Sequence, residues 1–495
     1  MEQYIIGIDQ STQGTKALLF DGSGKLLARE DIPHRQIVNE EGWVSHDAME
    51  IYRNMVSVVR KLVENAGIDK NAVAGIGISN QRETSVAWNR STGMPIGHAV
   101  VWQCARAKEI CRKVEKTGVG EKIREKTGIF LSPYFPASKF AWLIQNSGEV
   151  DKMDIGKDLC LGTVDSWLVF KLTGGKQFRT DYSNASRTQL FNLHTLTWDE
   201  EICGWFGIPL ECLPQVTDSN GEFGVTDFEG FFDKPVPIRG VLGDSHGALF
   251  GQGCHSAGMV KSTYGTGSSI MMHIGSTPVL STHGIVTSLA WGIDGKAEYV
   301  LEGNINYTGA VITWLEKDLK LISSAAETEE LAYAANKADR TYLVPAFSGL
   351  GAPYWDNNAE ASVSGMTRLT GRAELVRAAL DSIAYQITDI LTAMEQDAGL
   401  EIKELRVDGG PTRNKYLMQF QSDIARVTVQ VPDAEELSGI GAAYMAGIAL
   451  GIYDKDEVFS HIRRNKYTSG MEETVRSEKL AGWKNAVKKV LTESV

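Results

Sequence analysis

Three short loops combine glycine with hydroxyl or carboxylate side chains in a way that suits phosphate binding. They are Asp9–Lys16 (DQSTQGTK), Thr263–Ser269 (TYGTGSS) and Asp408–Asn414 (DGGPTRN). Glycine permits tight turns, while hydroxyls and backbone N–H groups can surround an anion. Each loop alone is more typical of a structural turn. One loop in the first half and two in the second together favour a nucleotide held between two lobes.

The carboxylate of Asp9 is a candidate ligand for Mg²⁺. It lies at the end of a predicted strand, and Mg²⁺ prefers few carboxylates together with water. Lys16, at the other end of the loop, adds positive charge beside the expected phosphates. The pattern GxxxxGK[ST] is absent from the sequence, which excludes a P-loop enzyme.

The segments around these loops alternate between apolar strands and amphipathic helices, which indicates an α/β fold with mixed sheets. The predicted strands are Tyr4–Asp9, Lys16–Asp21, Lys25–Ile32, Ala72–Ser79, Met259–Thr263, Ile270–Ile274, Leu405–Asp408 and Thr428–Val431. The predicted helices are Met49–Val63, Ala373–Ala398, Lys415–Ala425 and Gly439–Tyr453. Leu437–Tyr453 is uncharged, but its glycines and alanines favour a helix packed tightly on a sheet over a membrane span. Each half opens with a strand, a Gly/Thr loop and a second strand, which suggests a duplicated architecture.

The chain length and charge narrow the classes of function. A single core rarely exceeds ~250–300 residues, so 495 residues predict two domains. The boundary is placed near Phe250–Gly258, giving domains 1–250 and 251–495. The net charge of −12 argues against a nucleic-acid or membrane partner. Six cysteines without CxxC pairs, and no signal-peptide pattern at the start, favour the reducing cytoplasm.

The three loops, in this order, resemble the two phosphate motifs and the adenosine motif of the sugar kinase, actin and Hsp70 superfamily. Tyr134–Leu143 (YFPASKFAWL) and the stretch from Gly365 to Gln386 resemble the two signatures of the FGGY carbohydrate kinases. This resemblance implies two actin-like (ribonuclease H-like) domains with a cleft that binds ATP, Mg²⁺ and a small polyol or sugar. It leaves open whether the chain forms a homodimer or homotetramer.

Within that family, several segments look like those of the glycerol kinases. They are Asn80–Thr84, Val101–Cys104, Thr163–Leu168, Asn184–Thr188, Val344–Asp356 and Met418–Asp423. The similarity makes ATP-dependent phosphorylation of glycerol the first expectation.

The resemblance also assigns roles to single residues. Asp244 becomes the general base toward the attacking hydroxyl and a second contact for Mg²⁺, because a carboxylate can orient an O–H group and take its proton. The alternative is an Asp that only caps a helix beginning near Ala248. Arg82, Glu83, Trp102 and Tyr134 are expected to hold the substrate hydroxyls. A surface ion pair of Arg82 with Glu83, and a core role for Trp102, are the alternatives.

For the nucleotide, the resemblance implies contacts from both lobes. It places Thr12, Gln13 and Lys16 near the β- and γ-phosphates, with Gly265 and Thr266 opposite them. Gly410 and Asn414 are expected to border the adenosine.

Two positions depart from the glycerol kinase pattern. Glycerol kinases usually carry Gln after the catalytic Asp and Phe after the second phosphate loop, where this chain has Ser245 and Ser269. Two serines in place of Gln and Phe remove bulk and add hydroxyls, so the substrate pocket is expected to be wider and more polar. Such a pocket suits a tetritol, a pentitol or a ketopentose. His246 either binds an extra hydroxyl or is a structural histidine. A non-catalytic sugar or nucleotide sensor and an actin- or chaperone-like ATPase are the alternatives of other classes. Retention of both Asp9 and Asp244 speaks against the sensor.

Overall fold

The computed structural model describes residues 2–492 of the chain, which form two central sheets surrounded by helices. In chain order the strands are β1 (Tyr4–Gln10), β2 (Gly14–Phe20), β3 (Leu26–Pro33), β4 (Ile37–Val38), β5 (Val44–His46), β6 (Val73–Asn80), β7 (Ser85–Asn89), β8 (Ala99–Val100), β9 (Leu159–Thr163), β10 (Arg179–Asp181), β11 (Phe191–Asn192), β12 (Thr197–Trp198), β13 (Gln215–Thr217), β14 (Val225–Thr226), β15 (Val236–Gly243), β16 (Val260–Tyr264), β17 (Ser268–Gly275), β18 (Val286–Ile293), β19 (Lys296–Ile305), β20 (Tyr342–Val344), β21 (Ser362–Ser364), β22 (Glu404–Asp408), β23 (Thr428–Pro432) and β24 (Arg464–Tyr467).

Helices surround the two central sheets. They are α1 (Ala48–Ala66), α2 (Lys108–Glu115), α3 (Gly120–Thr127), α4 (Pro136–Gln145), α5 (Ile155–Asp158), α6 (Val164–Leu172), α7 (Tyr182–Ala185), α8 (Glu200–Phe206), α9 (Asp244–Gly251), α10 (Gly309–Thr313), α11 (Glu327–Ala334), α12 (Arg372–Ala398), α13 (Lys415–Ala425), α14 (Leu437–Ala449) and α15 (Glu473–Lys488). None of the helices in residues 2–492 combines the length and apolar character that crossing a lipid bilayer requires.

The two central sheets share the arrangement of their central strands. The first has the order β14-β15-β6-β1-β2-β3, and the second has the order β18-β19-β17-β16-β22-β23-β24. In each sheet a strand that opens its half of the chain, β1 or β16, pairs antiparallel with the next strand and parallel with a later one. The predicted α/β fold with mixed sheets and a duplicated architecture is therefore confirmed. A smaller sheet, β4-β5-β8-β7-β9, is inserted in the first half.

The predicted strands and helices agree with the structure within a few residues, with one exception. The helix predicted over 439–453 spans Leu437–Ala449 and stops four residues early. Gly451 then adopts a positive φ of 68°, which glycine tolerates and which reverses the chain.

Helix α14 lies directly on the backbone of the first sheet, as its small residues predicted. A methyl group built on Gly77 of β6 would lie 1.9 Å from the carbonyl oxygen of Ala442, and one on Gly7 of β1 would lie 2.4 Å from that of Gly439. Such distances mean that any side chain at these two strand positions would push the helix away. The contact therefore depends on glycine.

The two halves share an apolar core around α9 and α14. This cluster joins Ile5, Leu18 and Leu242 of the first sheet to Met271 and Val300 of the second. Because α14 comes late in the chain yet packs on the first sheet, the halves are connected by more than one crossing. The boundary near 250–258 stays a prediction.

Gly77→Ala is expected to lower the free energy of unfolding by about 1–3 kcal/mol or more, because the new methyl overlaps the α14 backbone. Gly204→Ala is the matched control. Gly204 lies inside α8, and a Cβ there meets nothing within 4 Å. Alanine at a helical position without a clash is expected to raise stability by about 0.5–1 kcal/mol. Chemical denaturation measures both changes, and equal effects of the two substitutions would contradict the close contact.

Candidate functional site

The parallel strands of the first sheet bring three predicted site residues to one edge. Asp9 lies near the end of β1, Arg82 follows β6, and Asp244 follows β15, and these strands are neighbours with parallel pairing. Because carboxyl ends of parallel strands share one edge, the residues converge there. The helix expected near Ala248 instead begins at Asp244 itself. The Asp244 side chain is 35% exposed, so it is accessible from the cleft.

Arg82 and Glu83 lie inside the protein, which makes the alternative of a surface ion pair wrong. Arg82 is 5% exposed and Glu83 is 2% exposed. The Nε atom of Arg82 lies 3.2 Å from Oδ1 of Asp244 and 4.0 Å from Oε1 of Glu83. Arg82 therefore contacts the candidate base directly.

A carboxylate that the sequence analysis did not single out holds the guanidinium of Arg82. Glu302 of β19 accepts hydrogen bonds from Nη1 and Nη2 of Arg82 at 2.8 and 2.9 Å. Arg187 lies on its other side, with Nη1 3.1 Å from Oε2 of Glu302, and donates from Nε to Glu83 at 2.6 Å. The only available signal for Glu302 was a lone charge within the apolar strand pattern YVLEGNI.

The charges of this cluster are set by mutual pairing. Burial opposes ionisation of Glu302, but Arg187 and Arg82 overcome it and hold the pKa of Glu302 well below its ordinary value. Burial likewise opposes the charge of Arg82, and Glu302 with Glu83 keeps the pKa of Arg82 well above its ordinary value. Paired charges of this kind remain ionised inside a protein.

Trp102 and Tyr134 form an aromatic wall beside the arginine cluster. Their ring centroids are 5.6 Å apart, and the indole N–H of Trp102 donates to Oγ1 of Thr12 at 2.9 Å. Trp102 is half-buried, so the alternative of an ordinary core residue is wrong. The indole instead links the expected substrate wall to the first phosphate loop.

The backbone beneath this wall is held by Lys139, whose importance the sequence analysis missed. Its ammonium donates to the carbonyl oxygen of Trp102 at 3.0 Å and to that of Tyr134. Burial lowers the pKa of Lys139 to about 7, with Glu83 acting in the opposite direction.

The two serines that depart from the glycerol kinase pattern are partly exposed, whereas His246 is buried. Ser245 and Ser269 are half-exposed, next to Asp244 and to Glu302 respectively, with Ser269 Oγ 3.4 Å from Oε1 of Glu302. His246 is fully buried, and its Nε2 lies 3.4 Å from Ser288 Oγ. Burial and the charge of Arg82 hold the pKa of His246 well below its ordinary value, so the imidazole is neutral.

The first loop joins β1 to β2, and the residues in the middle of this loop are accessible to solvent. Gln13 is exposed and Thr12 half-exposed. The ammonium of Lys16 does not point freely into the cleft, because it donates to Oε2 of Glu436 at 2.5 Å. Glu436 directly precedes α14, so this pair joins the loop to that helix.

The second and third loops lie against each other at the edge of the second sheet. Gly265 and Thr266 are exposed, and a methyl on Gly409 would meet the carbonyl oxygen of Tyr264 at 2.0 Å. Gly410 is exposed beside it. Asn414 caps α13 by accepting from the backbone N–H of Leu417 at 2.9 Å, so its amide oxygen is engaged. The structure thus brings these two loops together.

The carboxylate of Asp9 is buried and has a second carboxylate, that of Asp244, near it. Burial raises its pKa to about 7; Lys16 acts against this rise and Asp244 reinforces it. Within residues 2–492, no three His, Cys, Asp or Glu side chains gather to hold a metal by themselves. A buried carboxylate with a second one near it fits an ion that takes the rest of its ligands from phosphate and water.

Two family models match this chain. The N-terminal domain of the FGGY family of carbohydrate kinases matches residues 4–251, and the C-terminal domain matches residues 260–450. The chain belongs to this family. It is therefore an ATP-dependent kinase that phosphorylates a hydroxyl of a small polyol or sugar.

Relatives of this carbohydrate kinase cover its whole length. Glycerol kinase 1 of Thermotoga maritima is 46% identical over 99% of this chain and 100% of its own, and the glycerol kinase of Bacillus licheniformis is 44% identical over 98% and 99%. The crystal structure of Plasmodium falciparum glycerol kinase with ADP superposes with a TM-score of 0.93 at 36% identity, covering 99% of both chains. Gluconate kinase from Lactobacillus acidophilus shares the fold, with a TM-score of 0.88 at 22% identity over 99% and 98%. The predicted family and actin-like, two-domain fold are confirmed.

Lys139→Met is expected to cost about 1–3 kcal/mol of stability, because two partly buried carbonyl groups lose their donor. The pKa of Lys139 is lower in the folded than in the unfolded chain, so the unfolded state binds more protons above about pH 7. Stability of the wild type relative to Lys139→Met should therefore increase by about 1–3 kcal/mol between about pH 7 and 9. Denaturant titrations at both pH values measure this difference, and a difference independent of pH would show that Lys139 keeps its ordinary pKa.

Proposed function

We propose that this kinase phosphorylates glycerol to glycerol 3-phosphate with ATP. The observation that carries the proposal is the accessible Asp244 carboxylate held 3.2 Å from Arg82, next to Glu83 and the wall of Trp102 and Tyr134. Relatives at 44–46% identity over the whole chain are glycerol kinases. A short polyol fits a site that offers donors, acceptors and one apolar wall.

In this proposal the residues of the chain position the acceptor and move one proton. Arg82 donates to a substrate oxygen, and Glu83 accepts from a second hydroxyl. Asp244 accepts a hydrogen bond from the attacking hydroxyl and takes its proton at a carboxylate oxygen as the phosphoryl group arrives. The wall of Trp102 and Tyr134 excludes water from one side of the acceptor.

The nucleotide lies across the three loops in the same proposal. Thr12, Gln13 and Lys16 contact the β- and γ-phosphates from one side, and Gly265 and Thr266 contact them from the other. Gly410 and Asn414 border the adenosine. Asp9 and Asp244 would hold Mg²⁺, which neutralises phosphate charge when bound. The cytoplasmic location and a homodimer or homotetramer stay predictions.

Asp244→Asn is expected to lower kcat for glycerol by about 10²–10⁴-fold, because the amide cannot take the proton. The assay is Mg²⁺- and ATP-dependent ADP release with glycerol, erythritol, threitol, xylitol, ribitol, xylulose, ribulose or gluconate as the acceptor. Asp233→Asn is the control, since Asp233 pairs with Lys70 on the surface. Full activity of Asp244→Asn would show that Asp244 is not the general base. ADP release without any acceptor would indicate an ATPase.

A longer polyol or a ketopentose is the second candidate substrate, favoured by the two half-exposed serines Ser245 and Ser269. The hydroxyl of Ser269, 3.4 Å from Oε1 of Glu302, adds a hydrogen-bonding partner that a longer acceptor could use and that glycerol does not need. One extra methylene is worth only about 10–200-fold in discrimination, so glycerol and a tetritol can both be substrates.

Ser269→Phe is expected to shift the ratio of kcat/KM toward glycerol by about 10-fold or more, because the ring removes space and a hydroxyl. The measurement is kcat/KM for glycerol against the best four- or five-carbon acceptor in the same panel. Ser91→Phe, on an exposed turn, is the control. An unchanged ratio would show that Ser269 does not border the acceptor.

A further inference from the structure

Glu302 is the point at which the second half of the chain enters the acceptor site. Its side chain is fully buried and comes from β19 of the second sheet. Arg82 and Arg187, which contact it, both come from the first half. The ion pairs therefore span the two halves.

The contacts of Glu302 reach two of the residues proposed to hold the acceptor, Arg82 and Glu83. Its two carboxylate oxygens accept hydrogen bonds from the two terminal nitrogens of Arg82, and this bidentate pairing fixes the plane of the guanidinium. It also lies 3.1 Å from Nη1 of Arg187, whose Nε donates to Glu83 at 2.6 Å. The orientation of Glu83 thus depends on Glu302 through one intermediate side chain.

The backbone conformation of Glu83 makes its orientation depend more strongly on the surrounding contacts. Glu83 has a φ of 60°, a left-handed conformation that costs free energy for a residue other than glycine. Such a conformation persists only where surrounding contacts hold it, and the bond from Arg187 is the side-chain hydrogen bond that reaches the Glu83 carboxylate in residues 2–492.

The charges in the cluster balance, with two arginines facing two glutamates. Removing the charge of Glu302 leaves two buried guanidinium groups with Glu83 as their remaining buried carboxylate. An uncompensated buried charge is costly, so the arginines would move toward other acceptors or water. Arg82 has Asp244 within 3.2 Å as an alternative partner.

We propose that Glu302 is a positioning residue that fixes Arg82 directly, and Glu83 through Arg187, only when the two halves are closed. It aligns the acceptor without touching it and makes acceptor binding depend on closure. This inference rests on the proposed roles of Arg82 and Glu83 in acceptor binding. Ser269, at the end of the second loop, touches Glu302, but none of the residues proposed to contact the nucleotide forms an ion pair or side-chain hydrogen bond with the cluster in residues 2–492. Nucleotide affinity is therefore expected to be independent of Glu302.

The test is the kinetics of Glu302→Gln, which keeps the size of the side chain and one acceptor oxygen but removes the charge. The KM for the acceptor is expected to increase by about 10-fold or more, while the KM for ATP changes by less than about 2-fold. A residue that only stabilises the fold would not separate the two constants. Equal changes in both, or no change in the acceptor KM, would overturn the proposal.

Glu298→Gln is the matched control. Glu298 lies on the same strand and pairs with His273 and Trp291 outside the cluster, so both KM values are expected to stay unchanged. Glu302→Asp keeps the charge and is expected to restore part of the acceptor affinity. If Glu302→Gln does not fold, Glu302→Asp decides, since its shorter reach must still raise the acceptor KM by a larger factor than the ATP KM.

A second readout separates this inference from the proposed function. If the wild type prefers an acceptor other than glycerol, the kinetics of Glu302→Gln are measured with that acceptor. The proposal about Glu302 is then tested even though the proposed substrate was wrong. The radius of gyration from small-angle X-ray scattering needs no substrate. It is expected to be larger for Glu302→Gln than for the wild type and Glu298→Gln, and an unchanged value would contradict the dependence on closure.

Discussion

The close approach of helix α14 to strands β1 and β6 is the constraint on which the arrangement of the site depends. Gly7 and Gly77 let the helix backbone rest on the strands, where a methyl at Gly77 would lie 1.9 Å from a carbonyl oxygen. With the helix so close, its first turn reaches the first phosphate loop. Helix α9 packs beside α14 and begins at Asp244. One backbone contact therefore sets the positions of the candidate base and of the loop.

The acceptor side of the proposed site is built from charges that pair with one another. Arg82, Arg187, Glu83 and Glu302 are each 5% exposed or less. Groups that are already oriented and desolvated need little rearrangement when the acceptor binds, which favours catalysis by positioning. The cost of burying them is offset by mutual pairing, so the cluster tolerates loss of no single member without rearrangement.

Local features made much of this architecture predictable. Helix Lys415–Ala425 and strand Leu405–Asp408 follow from periodicity, and the three loops follow from glycine and hydroxyl content. The partners of the predicted residues were not predictable, because Glu302 lies 220 positions from Arg82 and nothing local indicates their pairing. The same reason hid Glu436 beside Lys16. Lys139 lies close to Tyr134 in the sequence, but a lysine within a mostly apolar helix does not by itself indicate that it holds two backbone carbonyls. Sequence reasoning named candidate residues of the site and missed Glu302, Lys139 and Glu436, which hold them in place.

The pair between Lys16 and Glu436 changes how the charge of the phosphate loop should be understood. On the proposed assignment, a nucleotide does not meet a free ammonium group, since Lys16 already donates to Glu436 at 2.5 Å and Arg29 also contacts that carboxylate at 3.0 Å. Binding is then an exchange of one anion for another. The affinity of the loop for phosphate is then the difference between two ion pairs, and Glu436 acts as an internal competitor that lowers it.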